Sequence, residues 1–191
     1  GVLLREGSNY RVFNSIVTGF GATGFDVEGA QTAQYADNRL GGSSDPASTL
    51  RFEGNILWSN VTQGGTAADN LADESGDGYD QSENETFFTD SGFDNLLADP
   101  MLPSEAFSIG SLSSPPNLIP SGTPSGYTAV DVSALNGGAG LVMPTDGRTL
   151  QQTNYAGAVA PGTAVADAWY SGWTVWTVGG DDSRPAPPST N

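Results

Sequence analysis

A strand-turn-strand pattern occurs twice in the first sixty residues, and this repeat constrains the fold more than any other feature of the chain. Residues 1–7, GVLLREG, return in outline as GFDVEG at residues 24–29. Residues 10–17, YRVFNSIV, return as LRFEGNIL at residues 50–57, after a polar insertion. Units of about 20–25 residues that cannot bury their apolar face alone stack on their neighbours. The repeat therefore predicts successive coils of a solenoid.

Alignment of the two copies predicts which side chains stack between coils. The inward-facing side chains at this stacking interface are Val2 and Leu4 in the first coil, and Phe25 and Val27 in the second. These features are typical of an all-β protein, a right-handed parallel β-helix with long loops. An antiparallel β-sandwich with a chance repeat is the alternative.

Two polar positions of the repeat also align. Arg11 and Arg51 fall on one outer face, where pairing with Glu53 or its neighbours is the expected role. Asn14 is expected over Asn55 at a turn, where amide side chains of neighbouring coils hydrogen-bond in a ladder.

The composition excludes several classes of function. The 191 residues contain no Lys, His or Cys, six Arg and 22 acidic residues, for a net charge of −16. Such a charge repels nucleic acids and anionic membranes, so neither is an expected partner. Thiol nucleophiles, Schiff-base lysines and the usual zinc ligands are missing. No apolar run reaches the roughly 18 residues that a membrane span needs.

The pattern along the chain predicts one domain in four parts. A short helix over residues 164–171, capped by Thr163, is expected to close the last coil. The parts are coils at residues 1–61, an acidic loop at 62–94, final coils with an aromatic cap at 95–178, and a Pro-rich tail at 179–191.

The acidic loop contains the strongest candidate for a metal site. Asp73, Ser75 and Asp77 alternate before a glycine, with Asp80 close behind, and calcium prefers such oxygen ligands. An EF-hand is excluded, because its twelfth position holds Asn84 where a bidentate glutamate is required. The segment is predicted either to bind calcium as an irregular loop or to be a solvated acidic loop.

Aromatic residues form the second candidate site near the end of the chain. They are Trp169, Tyr170, Trp173 and Trp176. Bulky aromatic side chains cover the core and the backbone that an open solenoid end exposes. We expect a cap, and the alternative is a platform on which sugar rings stack.

Several segments resemble the carboxy-terminal region of secreted right-handed parallel β-helix proteins of unassigned function from Gram-negative bacteria. They are GVLLREG at 1–7, NSIV at 14–17, GNILW at 54–58, LADPML at 97–102, and NYAGAV at 154–159 leading to WYSGWT at 169–174. The resemblance implies the β-helix fold, secretion and an extracellular or cell-surface location. In those proteins the last two elements look like the cap of the final coil. No catalytic motif comes with the resemblance.

These observations predict a non-catalytic extracellular structural or adhesive protein. The chain opens directly into strand-like sequence, so we expect a processed or partial chain whose first coil stacks on other protein chains. It would act as a subunit of a surface filament or of a larger envelope assembly. The alternative is a calcium-dependent β-helix that binds or cleaves polysaccharides, as a lyase or a glycoside hydrolase, through carboxylates and arginine.

Overall fold

The computed structural model describes residues 1–45, 47–60, 62–71, 78–103, 118–132 and 152–169. The strands are β1 (Val2–Leu4), β2 (Arg11–Phe13), β3 (Ile16–Thr18), β4 (Phe25–Val27), β5 (Arg51–Glu53), β6 (Ile56–Trp58) and β7 (Leu96–Leu97). The helices are α1 (Ala30–Leu40), α2 (Ala67–Asn70) and α3 (Gln81–Phe88), with a 3₁₀ helix at Val165–Asp167. The chain divides into two compact units. One comprises Gly1–Pro100 with Thr123–Ala158, and the other Met101–Gly122 with Val159–Asn191.

The strands of the first unit form three stacks, and every pair within them is parallel. β1 pairs with β4, β2 with β5, and β3 with β6, which also pairs with β7. Val2 lies opposite Phe25 and Leu4 opposite Val27, which are the pairs that the repeat predicts. Arg11 lies opposite Arg51, again as the repeat predicts. The antiparallel alternative is not seen in these strands.

The corners between strands repeat their backbone conformation from coil to coil. Asn14, Gly54 and Asp94 all have positive φ, at 49°, 66° and 54°. Asparagine, aspartate and glycine tolerate this left-handed conformation best. At Gly54 glycine is needed for a second reason, because a Cβ there would collide with Oδ1 of Asn14. The stacked corners keep successive coils in register.

An asparagine ladder joins the coils, one residue away from the predicted position. Ser15, not Asn14, stands opposite Asn55, because the true alignment pairs Ile16 with Ile56. Asn55 Oδ1 accepts a hydrogen bond from Ser15 N at 2.9 Å, and Asn55 Nδ2 donates to Val12 O at 3.0 Å. Asn95 repeats the arrangement forty residues on, where its Oδ1 accepts from Asn55 N at 2.9 Å. The ladder thus links three successive coils.

The core is built around phenylalanine rings that come from both strands and α3. The Phe25 and Phe52 rings lie 4.5 Å apart, and Phe25 stacks on Phe87 at 5.7 Å. Phe87 also contacts Phe93, and Phe88 contacts Phe52. All but Phe93 are fully buried, and Phe93 is nearly so. Ring pairs at these distances add roughly 0.5–1.5 kcal/mol each beyond the burial of their area.

Residues 62–94 differ from the predicted loop because they contain α2 and α3. Each helix begins with a capping box. Thr66 and Asp69 form it in α2, and Asp80 and Glu83 form it in α3. Several acidic side chains of this segment therefore satisfy helix N–H groups, and Phe87 and Phe88 join the core.

The polar insertion after β4 is also helical. It forms α1, which places Thr32 and Ala36 in the interior and ends before Gly41. The described part is thus a mixture of short parallel strands and helices. A closed solenoid is not visible in it, so the β-helix stays a prediction.

In the second unit, the described part of the predicted terminal helix is a single 3₁₀ turn at Val165–Asp167. Thr163 Oγ1 donates to Ala160 O at 2.7 Å, and no side-chain cap bonds to the turn itself. Among the helices described in either unit, none is long and apolar enough to cross a membrane.

Candidate functional site

The first coil, comprising β1, β2 and β3, presents strand edges on its outer side. Each of the three is an edge strand of its sheet among the residues that the structure describes. Val2 N donates to Gly24 O at 2.9 Å and Leu4 O accepts from Glu28 N at 2.7 Å, so these residues face β4. Because alternate residues of a parallel strand bond to opposite sides, the peptide groups of Leu3 point outward. The same alternation directs the peptide groups of Ile16 outward, since the preceding carbonyl, Ser15 O, accepts from Ile56 N of β6.

The second coil, comprising β4, β5 and β6, differs because the far edges of its strands are occupied. Val27 N donates to Asn84 Oδ1 at 3.1 Å, and Val27 O accepts from Tyr79 N at 2.9 Å. Phe52 O accepts from Asn95 Nδ2 at 2.7 Å. β6 pairs with β7. The two sides of the stack are therefore unequal, with one side bonded to α3 and its neighbours.

Apolar side chains are exposed along the first coil. Leu3 is 39% exposed, Tyr10 67% and Phe20 47%. Leu3 projects away from the core, because Val2 and Leu4 on either side of it face inward. An edge with such side chains is the kind that pairs with another strand in natural sheets.

An arginine cluster, formed by Arg11, Arg39, Arg51 and Glu53, lies on the outer face of β2 and β5. Glu53 is buried and bonds to Arg39 Nε at 2.7 Å and to Arg51 Nη2 at 2.6 Å. Burial opposes the charge of Glu53, but the hydrogen bonds of Arg51 and Arg39 outweigh it and hold its pKa below the ordinary value of 4.5. The Arg51–Glu53 pair expected from the repeat is thus present.

Aromatic rings support the two arginines that bond to Glu53. The Arg39 guanidinium lies 5.0 Å from the centre of the Phe93 ring, and that of Arg51 lies 5.1 Å from the Phe13 ring. A guanidinium over an aromatic face gains roughly 0.5–2 kcal/mol, more where water is excluded. The cluster is consequently a fixed structural feature.

Arg11 lies beside an open groove of about 390 Å³. The groove is lined by Arg11, Val12, Phe13, Asn14, Ser15, Val132, Thr153 and Gly157. The lining residues of the first coil run from Arg11 to Ser15, so the groove follows β2 and the corner after it. Burial and the neighbouring Arg51 charge lower the pKa of Arg11, and the Asp45 carboxylate opposes that shift. Arginine nevertheless stays cationic at neutral pH.

The predicted calcium ligands are only partly within the described residues. Asp73, Ser75 and Asp77 lie outside them. Asp80 lies within them as the N-cap of α3, and its carboxylate accepts from Glu83 N at 2.8 Å. Where the structure describes the chain, no three Asp, Glu, His or Cys residues are grouped to hold a metal ion. Calcium binding stays a prediction.

The predicted aromatic cap is likewise mostly outside the described residues. Tyr170, Trp173 and Trp176 all lie there, and Trp169 is 63% exposed. The cap and the sugar platform therefore both stay predictions.

Sequence reasoning missed three residues that build the corner and the cluster. Arg39 comes from α1 and pairs with Glu53. Asn95 follows Asn55 by forty residues, and this spacing is visible in the sequence. Tyr127 donates through its hydroxyl to Gly54 O at 3.0 Å and to Asn14 Oδ1 at 3.2 Å. Burial, with a smaller effect of Asp94, raises the pKa of Tyr127.

Comparison of the chain with protein-family models, with curated proteins and with solved structures finds no match. The function is therefore inferred from the strand edges, the arginine cluster and the groove themselves.

Proposed function

We propose that this chain is a non-catalytic structural protein, a right-handed parallel β-helix that joins an assembly through its first coil. The observation that carries the proposal is the difference between the two sides of the stack. The far edges of β4, β5 and β6 have partners from later in the chain, whereas β1, β2 and β3 are edge strands within the part of the chain that the structure describes. An added parallel coil would satisfy those edges by main-chain hydrogen bonds.

The register of the stack supports addition of a further coil. Parallel pairing, repeated left-handed corners and the asparagine ladder all let one coil lie over the next without a change of geometry. A coil added on β1 would repeat the contact that β1 makes with β4. The exposed Leu3 and Phe20 would then lose apolar surface to the new coil.

A structural role is favoured over a catalytic one by the state of Glu53. Its two carboxylate oxygens are both engaged by arginines, which holds the group ionised and stationary. A general acid needs a raised pKa, whereas that of Glu53 is lowered. The resemblance to secreted β-helix proteins supports an extracellular or cell-surface location for the assembly.

Site-specific photo-crosslinking in the producing organism tests the proposal. A benzoyl-phenylalanine in place of Leu3 should crosslink to a strand segment of another coil, which mass spectrometry of the product identifies. The matched control carries the same group at Thr86, an exposed position of α3, and should not give that product.

A second variant separates strand addition from mere proximity. Ile16→Pro removes an outward-pointing N–H without removing a bond to β6, so it should abolish the Leu3 crosslink while the chain stays folded. Equal crosslinking from positions 3 and 86, or an unchanged product in Ile16→Pro, would overturn the proposal.

A further inference from the structure

The charge of the chain is unevenly distributed along the stack of coils. Residues 1–20, which contain the first coil, hold two arginines and one glutamate, for a formal charge of +1. Residues 62–100 hold ten acidic residues and no basic one, for a formal charge of −10. This second range supplies α3, β7 and the groups that occupy the far edges of the second coil. The edge strands of the first coil therefore lie at the less acidic end of the stack.

Arg5 is the basic residue at the end of β1. It is exposed, and it follows Leu4, whose side chain is buried in the core. Side chains alternate along a strand, so Arg5 projects from the same face as the partly exposed Leu3. Among the residues that the structure describes, no carboxylate forms an ion pair with Arg5. Arg5 is thus accessible to a charged group of another molecule.

The contact between the first two coils shows which charge fits beside Arg5. Leu4 pairs with Val27, so Glu28 is the residue of the second coil in register with Arg5. Glu28 N donates to Leu4 O at 2.7 Å, and Arg5 and Glu28 line one cavity of about 320 Å³. Opposite charges on neighbouring strands stabilise a sheet, whereas like charges destabilise it. A coil added on β1 in the same register would place one residue over Arg5, and an acidic residue there continues the alternation of charge.

We propose that the first coil accepts an acidic coil of another protein, in which an Asp or Glu side chain stacks on Arg5. The inference rests on the proposed function and adds the chemistry of the partner. The net charge of −16 does not prevent this contact, because exposed charges are largely screened beyond about 8 Å at physiological ionic strength. The local charge of the first coil decides instead. A second copy of this chain does not fit through its second coil, because the main-chain groups of Val27 are already hydrogen-bonded.

The photo-crosslink from position 3 identifies the residues of the partner that lie over β1. In a parallel strand in register with β1, the residues that face Leu3 and Arg5 are separated by the same interval as Leu3 and Arg5 themselves. The crosslinked strand segment, sequenced by mass spectrometry, should therefore carry an Asp or Glu shortly after the crosslinked residue.

Two substitutions of equal charge separate the local pair from the overall charge. Arg5→Gln and Gln81→Glu, at an exposed site of α3, each make the chain more negative by one charge. Arg5→Gln should lower the yield of the Leu3 crosslink about threefold and Arg5→Glu about tenfold, because an attractive pair is lost and then reversed. Gln81→Glu should leave the yield unchanged. Circular dichroism of the purified variants confirms that they are folded.

A charge swap completes the test. Once the partner's acidic residue is identified, its replacement by Arg should restore the crosslink of the Arg5→Glu variant. A strand segment without an acidic residue near the crosslink would refute the inference and leave the proposed function standing. The same holds for an equal loss of yield in Arg5→Gln and Gln81→Glu, and for a product that joins two copies of this chain. If position 3 crosslinks to no strand segment, the proposed function and this inference fail together.

Discussion

Glu53 shows how one side chain can organise a surface. It is buried, yet it stays charged because Arg39 approaches from α1 and Arg51 from its own strand. Each arginine rests on a phenylalanine ring, so the side chains have little freedom to separate. Removing one partner from such an arrangement leaves uncompensated charge in a poorly hydrated place.

Replacing Glu53 by Gln should lower the free energy of unfolding by about 3 kcal/mol, because both arginines lose their anionic partner. Urea denaturation followed by tryptophan fluorescence measures the change. Glu85→Gln, at an exposed site of α3, is the matched control and should change stability by less than about 0.5 kcal/mol. A loss of the same size in both variants would contradict the structural role of the cluster.

The stability that Glu53 contributes should also depend on pH. Its pKa is lower in the folded chain than its ordinary value of 4.5, so the folded state favours the ionised form. The contribution is complete above about pH 4.5 and disappears as the pH falls through the lower folded-state pKa. The difference in unfolding free energy between wild type and Glu53→Gln should therefore be constant at neutral pH and shrink on acidification. A difference that grows below pH 4 would refute this assignment.

Residue pairs within the repeat could be predicted from the sequence, and pairs that bridge from outside it could not. Val2 with Phe25, Arg11 with Arg51, and the Arg51–Glu53 pair follow from aligned strands. Arg39 lies in a segment without a counterpart in the other copy, so nothing local shows that it reaches Glu53. The predicted ladder position is wrong by one residue, because Asn14 resembles Asn55 in type but Ser15 matches it in register.

At the scale of elements, the asparagine ladder connects the strands and corners of successive coils. Asn55 is fully buried and bonds to Ser15 N, Val12 O and Asn95. Asn55→Ala should cost about 3 kcal/mol, because a half-buried donor, Ser15 N, and a half-buried acceptor, Val12 O, lose their partners. Thermal denaturation detects this loss. Asn154→Ala, at an exposed position, is expected to be nearly neutral, and parity between the two would contradict the ladder's role.

Asp80 allows the capping role to be separated from a metal role. Asp80→Ala should destabilise the chain by about 1 kcal/mol, whereas Asp80→Asn should cost a few tenths at most, since asparagine caps equally well. Denaturation curves with EDTA give both values. A calcium-induced rise in melting temperature that is present in wild type and lost in Asp80→Asn would show instead that this carboxylate holds the cation.

Elements outside the repeat were the hardest to predict. Residues 62–94 are rich in Asp, Glu, Gly and Ser, a composition typical of a loop, and α3 is only eight residues long. Two features of the sequence do indicate this helix. They are the capping pair Asp80 and Glu83 and the two apolar residues Phe87 and Phe88. Its stability comes from packing of those rings against Phe25 and Phe52, which is a non-local contact.

At the scale of the whole molecule, charge opposes compactness. The net charge is −16, so the acidic side chains on the surface repel one another. Salt shortens the screening length from about 30 Å at 0.01 M to about 3 Å at 1 M. We therefore expect the melting temperature to rise by about 3 °C or more as NaCl is added at neutral pH. The control is the same titration near pH 4, where about half of the carboxylates are protonated and the rise should be much smaller. A fall in melting temperature at neutral pH would mean that attractive pairs dominate.

The overall arrangement could be predicted only where the chain repeats itself. The repeat gives the order of the first two coils and their parallel pairing, because aligned apolar positions must meet in the core. The segments that run from Tyr79 to Phe93 and around Tyr127 complete the unit through hydrogen bonds to backbone atoms. Those contacts depend on three-dimensional proximity and cannot be predicted from the spacing of residues in the sequence.

The engagement of Val27 by Tyr79 and Asn84 has a consequence for polymer architecture. A row of identical subunits grows without limit only if the tail of each copy can accept the head of the next. Here the N–H and C=O groups of Val27, which a subunit added at β4 would need, are already hydrogen-bonded within the same molecule. In the assembly proposed above, this polypeptide would therefore terminate the row, because no further subunit could pair with β4.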